Sequence, residues 1–314
     1  MRDLRIVFMG TPEFAVATLD ALIKAKFNVV GVITAPDKPA GRGRKLNESA
    51  VKKYALENKL NILQPTNLKD ENFITELENL NANLQVVVAF RMLPEIVWKM
   101  PKYGTFNLHA SLLPNYRGAA PINWAIINGE TKTGVSTFFI DEKIDTGNII
   151  LQEEVNIGKD EILGDLYFKL MTIGSNLVVD TVKMIEKGTV ETIKQPEIEE
   201  KPAPKIFSET CKINWENSLK NIYNLIRGLN PYPAAWTTLI NNEEIIKVKI
   251  FDVKPEYESH NLKSGSIITS KNEIKVVVSN GFLVIESLQL AVKKKMDSKS
   301  LLNGYTFHPN SIMK

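Results

Sequence analysis

Apolar positions in the first hundred residues switch between two periods. Residues 4–9 and 29–34 are short apolar, β-branched runs of the kind that form strands. Between them, residues 13–26 place Phe14, Ala17, Ala21 and Leu22 at helical spacing, which completes a βαβ unit. Helical stretches at 49–58 and 72–80 lead into another strand-like run at 84–90. This alternation predicts a parallel sheet wrapped by helices, with ligands at the carboxyl ends of its strands. A short strand at 104–108, a helix containing Trp124 and Ile127, and a strand at 135–140 follow.

The pattern changes after residues 188–208, where Pro196, Pro202 and Pro204 sit among charges as in a linker. A helix at 218–228 precedes five short strands at 235–240, 245–253, 266–270, 274–278 and 282–290, separated by turns such as Asn241-Asn242 and Asn280-Gly281. Five such strands suit a small barrel of the oligonucleotide-binding (OB) kind. The expected organisation is residues 1–188, a linker at 189–205, and a second domain at 206–314.

Composition narrows the class. The chain has 314 residues, 44% apolar and 24% charged, and no apolar run approaches the roughly 18 residues of a membrane helix. No membrane span is expected, and the N-terminus does not read as a secretory signal, so a cytoplasmic protein is expected. The lone Cys211 excludes an intramolecular disulfide and reads as structural. With only His109, His260 and His308 besides, no zinc set is expected and the metal prediction is none. The net charge is +3, and residues 206–314 carry the surplus, 14 Lys or Arg against 10 Asp or Glu.

The turn after the first strand, Met9-Gly10-Thr11-Pro12-Glu13, lacks the three glycines of a dinucleotide site, and no phosphate-cradling loop of the ATPase type is present. Residues 34–45 read as a mobile cationic loop at a strand's carboxyl end. Arg42, Arg44 and Lys45, extended by Lys52 and Lys53, would suit a phosphodiester backbone; a solvated loop fits equally well. Asn107 and His109, two residues apart at the end of an extended segment, project to one face. The polar loop at 141–147 supplies Asp145. An amide donor, a group that titrates near neutrality and a carboxylate can run acyl transfer without a metal. Taken alone, an Asn-x-His pair more often caps a strand end than marks a site.

Longer motifs shift that balance. Phe8-Met9-Gly10-Thr11-Pro12-Glu13-Phe14-Ala15, Pro36-Asp37-Lys38-Pro39-Ala40-Gly41-Arg42-Gly43, the block from His109 to Pro121, Asp145-Thr146-Gly147 and Asn230-Pro231-Tyr232-Pro233-Ala234-Ala235-Trp236 span nearly the whole chain. Together they resemble the formyltransferases that use 10-formyltetrahydrofolate. The cationic loop and the C-terminal extension point, within that family, to members that act on aminoacyl-tRNA. The resemblance implies an α/β fold, a Rossmann-like parallel-sheet catalytic domain followed by an OB-like β-barrel that binds tRNA. It also implies transfer of formyl from the co-substrate 10-formyltetrahydrofolate to the α-amine of initiator methionyl-tRNA, by a monomer.

In that reading Asn107 and His109 hold the oxygen of the reacting formyl group, while Asp145 orients His109. Ser111, Leu112, Leu113 and Pro114 lie beside the folate, with Arg91, Met92, Leu93 and Ile144 in the segments that enclose its pterin. Arg42, Arg44, Lys45, Lys293, Lys294 and Lys295 meet the tRNA. Lys143 stands where the family often has glycine. Two other readings stay open: a formyltransferase for another amine, such as a nucleotide-linked amino sugar, and a non-catalytic RNA-binding protein on a decayed scaffold. The second would be expected to lose Asn107, His109 or Asp145, all of which are present.

Overall fold

The computed structural model describes residues 1–40, 45–197 and 201–314, without the side chains of Pro39, Ala40 and Lys45. These fall into two units: Met1–Gly118 with Thr133–Val155 and Phe168–Pro202, and Ala119–Lys132 with Asn156–Tyr167 and Ala203–Lys314.

The first nine strands are β1 (Ile6–Gly10), β2 (Val29–Ile33), β3 (Lys38–Ala40), β4 (Lys45–Asn47), β5 (Ile62–Leu63), β6 (Leu84–Val88), β7 (Thr105–His109), β8 (Lys132–Phe139) and β9 (Ile149–Asn156). Seven form one sheet in the order β5-β2-β1-β6-β7-β8-β9. From β5 to β7 neighbouring strands run parallel, whereas β8 is antiparallel to β7. The order reverses at β1, with β2 on one side and β6 on the other, and such a switch point opens a crevice at the carboxyl ends. Every residue of β1 and β6 is buried, as in strands covered on both faces, and the one polar member, Gln85, accepts from the Thr105 hydroxyl.

The helices α1 (Glu13–Lys24), α2 (Ala50–Glu57), α3 (Glu71–Asn79), α4 (Glu95–Trp98) and, from Phe168 on, α6 (Leu163–Lys187) accompany these strands, while α5 (Pro121–Ile127) belongs to the second unit. Ser49 caps α2 by accepting from the Lys52 amide at 3.0 Å, and Asp70 caps α3 by accepting from the amides of Asn72 and Phe73. A Cβ on Gly10 would lie 2.5 Å from the Cβ of Ala15, so this lone glycine serves to bring α1 down onto β1.

Three features go beyond the expected pattern. The 25-residue α6 and the strand β9 extend the α/β layer, with Leu166, Leu170, Val178, Val182 and Ile185 of α6 all buried. The segment expected as a mobile loop is not wholly unpaired, since Lys38–Ala40 and Lys45–Asn47 pair antiparallel. The segment expected as a linker is bound to the sheet, because Ile193 and Ile149 exchange backbone hydrogen bonds at 2.8 Å each.

The second unit contains α7 (Leu219–Arg227), β10 (Ala235–Asn241), β11 (Glu244–Glu256), β12 (Ile267–Thr269), β13 (Ile274–Val278), β14 (Gly281–Leu290), β15 (Met296–Asp297), α8 (Ser298–Leu302) and β16 (Ile312–Met313). All five expected strands are present, in the antiparallel order β12-β13-β14-β11-β10, with β16 beside β10. A bridge between Ser266 and Ile312 nearly closes the sheet into a barrel. Its interior holds Trp215, Leu219, Ile222, Val248, Ile250, Leu283 and Leu288. Among the described residues, no helix is long and apolar enough to cross a membrane.

Candidate functional site at the carboxyl end of the sheet

Asn107 and His109 close β7, next to β6 and β8. Between them Leu108 turns to the opposite face, where a Cβ on Gly174 of α6 would come within 2.9 Å of it. Asn107 is only partly buried, and among the described residues no hydrogen-bond partner is recorded for its side-chain amide. It is free to donate to a bound molecule.

His109 is held on both sides. Its Nε2 donates to the Tyr116 carbonyl at 2.8 Å, because a carbonyl oxygen only accepts. In the neutral ring Nδ1 then carries the lone pair, and it faces the Asp145 carboxylate at 3.7 Å. That separation is too long for a hydrogen bond, and it leaves the carboxylate beside Nδ1. The edge of the Phe138 ring also packs against the imidazole, at a centroid distance of 6.5 Å.

Asp145 reaches this place through an unusual backbone. Its φ is +57°, a left-handed conformation, so the strained residue of the turn is Asp145 and not Lys143. Asp141 supports the turn by accepting from the Lys143 amide and the Thr146 hydroxyl. Gly147 follows at a point where a Cβ would lie 1.7 Å from the Phe139 carbonyl oxygen, so no side chain fits. One Asp145 carboxylate oxygen accepts from the Gly118 amide at 2.9 Å.

Sequence reasoning missed the groups behind this pair. Tyr116 supplies the carbonyl, and its own amide donates to the Lys201 carbonyl at 2.6 Å. Gln195 donates to the carbonyls of Asp145 and Gly147, while Arg117 donates to the Gln195 side-chain oxygen. Gln195 and Lys201 lie in the stretch read as a linker, where neither periodicity nor motif signals a role.

Of the residues expected beside a folate, Ser111 is fully buried with its hydroxyl on the Asn115 carbonyl, and Leu113 packs with Phe138 and Ile149. Leu112 and Pro114 are half-buried, and Leu93 lies in the core. Met92 and Ile144 are 68% and 61% exposed. Arg91 donates to the carbonyls of Pro65 and Thr66, and its partial burial lowers its pKa from the ordinary arginine value.

The cationic segment is anchored at its base. Lys52, expected to extend a phosphate-binding patch, is instead paired with Asp37 and with Glu48 at 2.9 Å, and Gln64 donates to Asp37 at 2.9 Å. The Lys52 and Gln64 bonds hold the Asp37 carboxyl below its ordinary pKa. Arg42, Arg44 and the side chain of Lys45 lie outside the described residues. On the barrel, Lys293 and Lys294 are exposed, whereas Lys295 pairs with Asp252 at 2.8 Å and lies over the Phe251 ring. Trp236 of β10 has the ammonium of Lys247 3.9 Å from its ring centroid and that of Lys212 at 5.8 Å. Burial pushes the Cys211 thiol pKa up, and the thiol donates to the Phe207 carbonyl, as a structural cysteine does.

Known proteins share this plan. The Formyl transferase family matches residues 4–182, and the Formyl transferase, C-terminal domain family matches residues 205–306. The chain is similar to a methionyl-tRNA formyltransferase of Flavobacterium johnsoniae, 60% identical over 308 residues and covering 98% of each chain. It is also similar to that of Bacteroides fragilis, 54% identical over 309 residues, covering 96% of this chain and 95% of the other. Among solved structures, the sugar 3N-formyl transferase WlaRD has the same fold, with a TM-score of 0.66 at 24% identity, over 94% of this chain and 100% of that one. With full-length identity at this level, the chain belongs to the formyltransferase family, in the branch whose members are named methionyl-tRNA formyltransferase.

Proposed function

We propose that this protein transfers the formyl group of 10-formyltetrahydrofolate to the free α-amine of initiator methionyl-tRNA. The observation that carries this is the 60% identity to a methionyl-tRNA formyltransferase over 98% of both chains. The geometry at the end of β7 gives the reaction its chemistry.

The amine nitrogen bonds to the formyl carbon, whose oxygen gains negative charge as the carbonyl opens. The Asn107 amide, which meets no side-chain partner among the described residues, is a donor for that oxygen. His109 takes up a proton at Nδ1, the nitrogen left open by the Tyr116 carbonyl, and Asp145 stabilises the resulting imidazolium. The carbon–nitrogen bond to the folate then breaks, and the proton from the amine ends on the folate nitrogen. Met92 in the turn after β6, and Ile144 beside Asp145, are exposed apolar side chains of the kind a flat heterocycle covers. For the nucleic acid, Arg42, Arg44 and Lys45 form a phosphate-contacting segment, joined by Lys293 and Lys294 on the barrel. Lys295 contributes less, since Asp252 already engages it.

The test is direct: incubation with 10-formyltetrahydrofolate and methionyl initiator tRNA should give formylmethionyl-tRNA by mass spectrometry of the released aminoacyl group. No product with tRNA, alongside formylation of a nucleotide-linked amino sugar, would overturn the assignment.

A further inference from the structure

We infer that Gln195 is a positioning residue for the reaction, setting the Asp145 carboxylate against His109 through the backbone of the 145–147 turn. The inference rests on the role given to Asp145 above. Gln195 is 5% exposed, and both ends of its amide are committed. Its Nε2 donates to the Asp145 carbonyl at 3.0 Å and the Gly147 carbonyl at 2.7 Å. Its Oε1 accepts from Arg117 at 2.8 and 3.2 Å. An arginine has no acceptor, so it orients the amide: only the oxygen can face Arg117, and only the nitrogen can face the turn.

The turn needs such a hold. Asp145 sits at φ +57°, in the left-handed region that L-residues other than glycine seldom adopt, and a small rotation there would swing its carboxylate away from Nδ1. Arg117 follows Tyr116, whose carbonyl fixes Nε2 of the same histidine, and precedes Gly118, whose amide binds the carboxylate. One three-residue stretch thus acts on the imidazole directly, on the carboxylate directly, and on the carboxylate's turn through Gln195.

The experiment compares Gln195→Glu and Gln195→Met with the parent and repeats both substitutions in the Asp145→Asn background. Glu keeps the length and an oxygen for Arg117 but loses both donors to the turn. Met keeps the bulk without polar atoms. We expect kcat to fall about tenfold to a hundredfold, the scale of a misplaced catalytic group, with KM for both substrates within about twofold of the parent. In the Asp145→Asn background neither substitution should cost anything further, because no carboxylate is left to position. A loss of the same size in that background would show general structural damage and overturn the proposal. Parent-like kcat for Gln195→Glu and Gln195→Met beside a slow Asp145→Asn would also overturn it and leave the site reading intact. A parent-like Asp145→Asn would sink that reading, and the proposal with it.

Discussion

Two polar clusters lie just beyond strands of the same sheet, one after β7 and one after β2, and they use charge in opposite ways. After β2, Lys52, Asp37 and Glu48 form contacting ion pairs, and Gln64 occupies the remaining Asp37 oxygen. Its charges are satisfied by one another, so the cluster is a strut that ties Asp37 to α2. After β7, His109 and Asp145 stand 3.7 Å apart without a bond, each steadied by backbone groups, and the Asn107 amide has no recorded partner among the described residues. Fixed orientation combined with unspent hydrogen-bonding capacity marks the cluster that can act on a substrate.

The contrast is sharpest at Asn107. Removing an oxyanion donor costs about a hundredfold to a thousandfold in turnover, so Asn107→Ala should lose that much kcat. Its melting temperature should stay at the parent value, because the side chain has no recorded structural bond to lose. A kcat within about threefold of the parent would remove the distinction between the clusters.

Arg42→Ala tests the cationic stretch of the sequence that follows Asp37. It should lower kcat/KM for tRNA by about tenfold, and the deficit should shrink at low salt, where the remaining cations hold phosphates more strongly. A deficit independent of salt would argue against a phosphate contact.

The strut itself predicts a smaller, pH-dependent effect. Asp37 has a folded pKa held below its ordinary value of 3.8. Its stabilising contribution is therefore present above that value and disappears as pH falls through the lower folded pKa. The melting temperature of Asp37→Asn should sit slightly below the parent's at pH 7, and the two should converge as the pH falls through the lowered folded pKa. Equal melting at pH 7 would mean that the ion pair is no strut. Least of all should chelation matter: among the described residues no three His, Cys, Asp or Glu side chains gather as metal ligands. Exhaustive chelation should leave the rate unchanged, and lost activity restored by one divalent metal would contradict that.

The same contrast explains what was legible in the sequence. The βαβ period, the five barrel strands and the Asn-x-His pair depend on residues a few positions apart, where spacing alone fixes which side chains share a face. The Ser49 and Asp70 caps are equally local. Lys52 looked like a free cation although Glu48, four residues before it, is a local partner; its other partner, Asp37, lies 15 residues away and is brought in only by the tertiary fold. Gln195 was still more hidden. Its nitrogen meets backbone carbonyls 48 and 50 residues before it, which leave no trace in residue identity, and its oxygen meets Arg117, 78 residues away. The helix α6 has a clear apolar stripe at Leu166, Leu170, Ile173 and Leu177, so the signal for it was present in the pattern.

We propose that the β7 cluster performs formyl transfer to the methionyl amine. Single-turnover formylation of saturating methionyl initiator tRNA, followed by rapid quench for the parent and for Asp145→Asn, tests it most directly. The parent should form formylmethionyl-tRNA, and the variant should do so about a hundredfold or more slowly, the range for lost acid–base assistance. Equal rates, or a parent that formylates no tRNA, would contradict it.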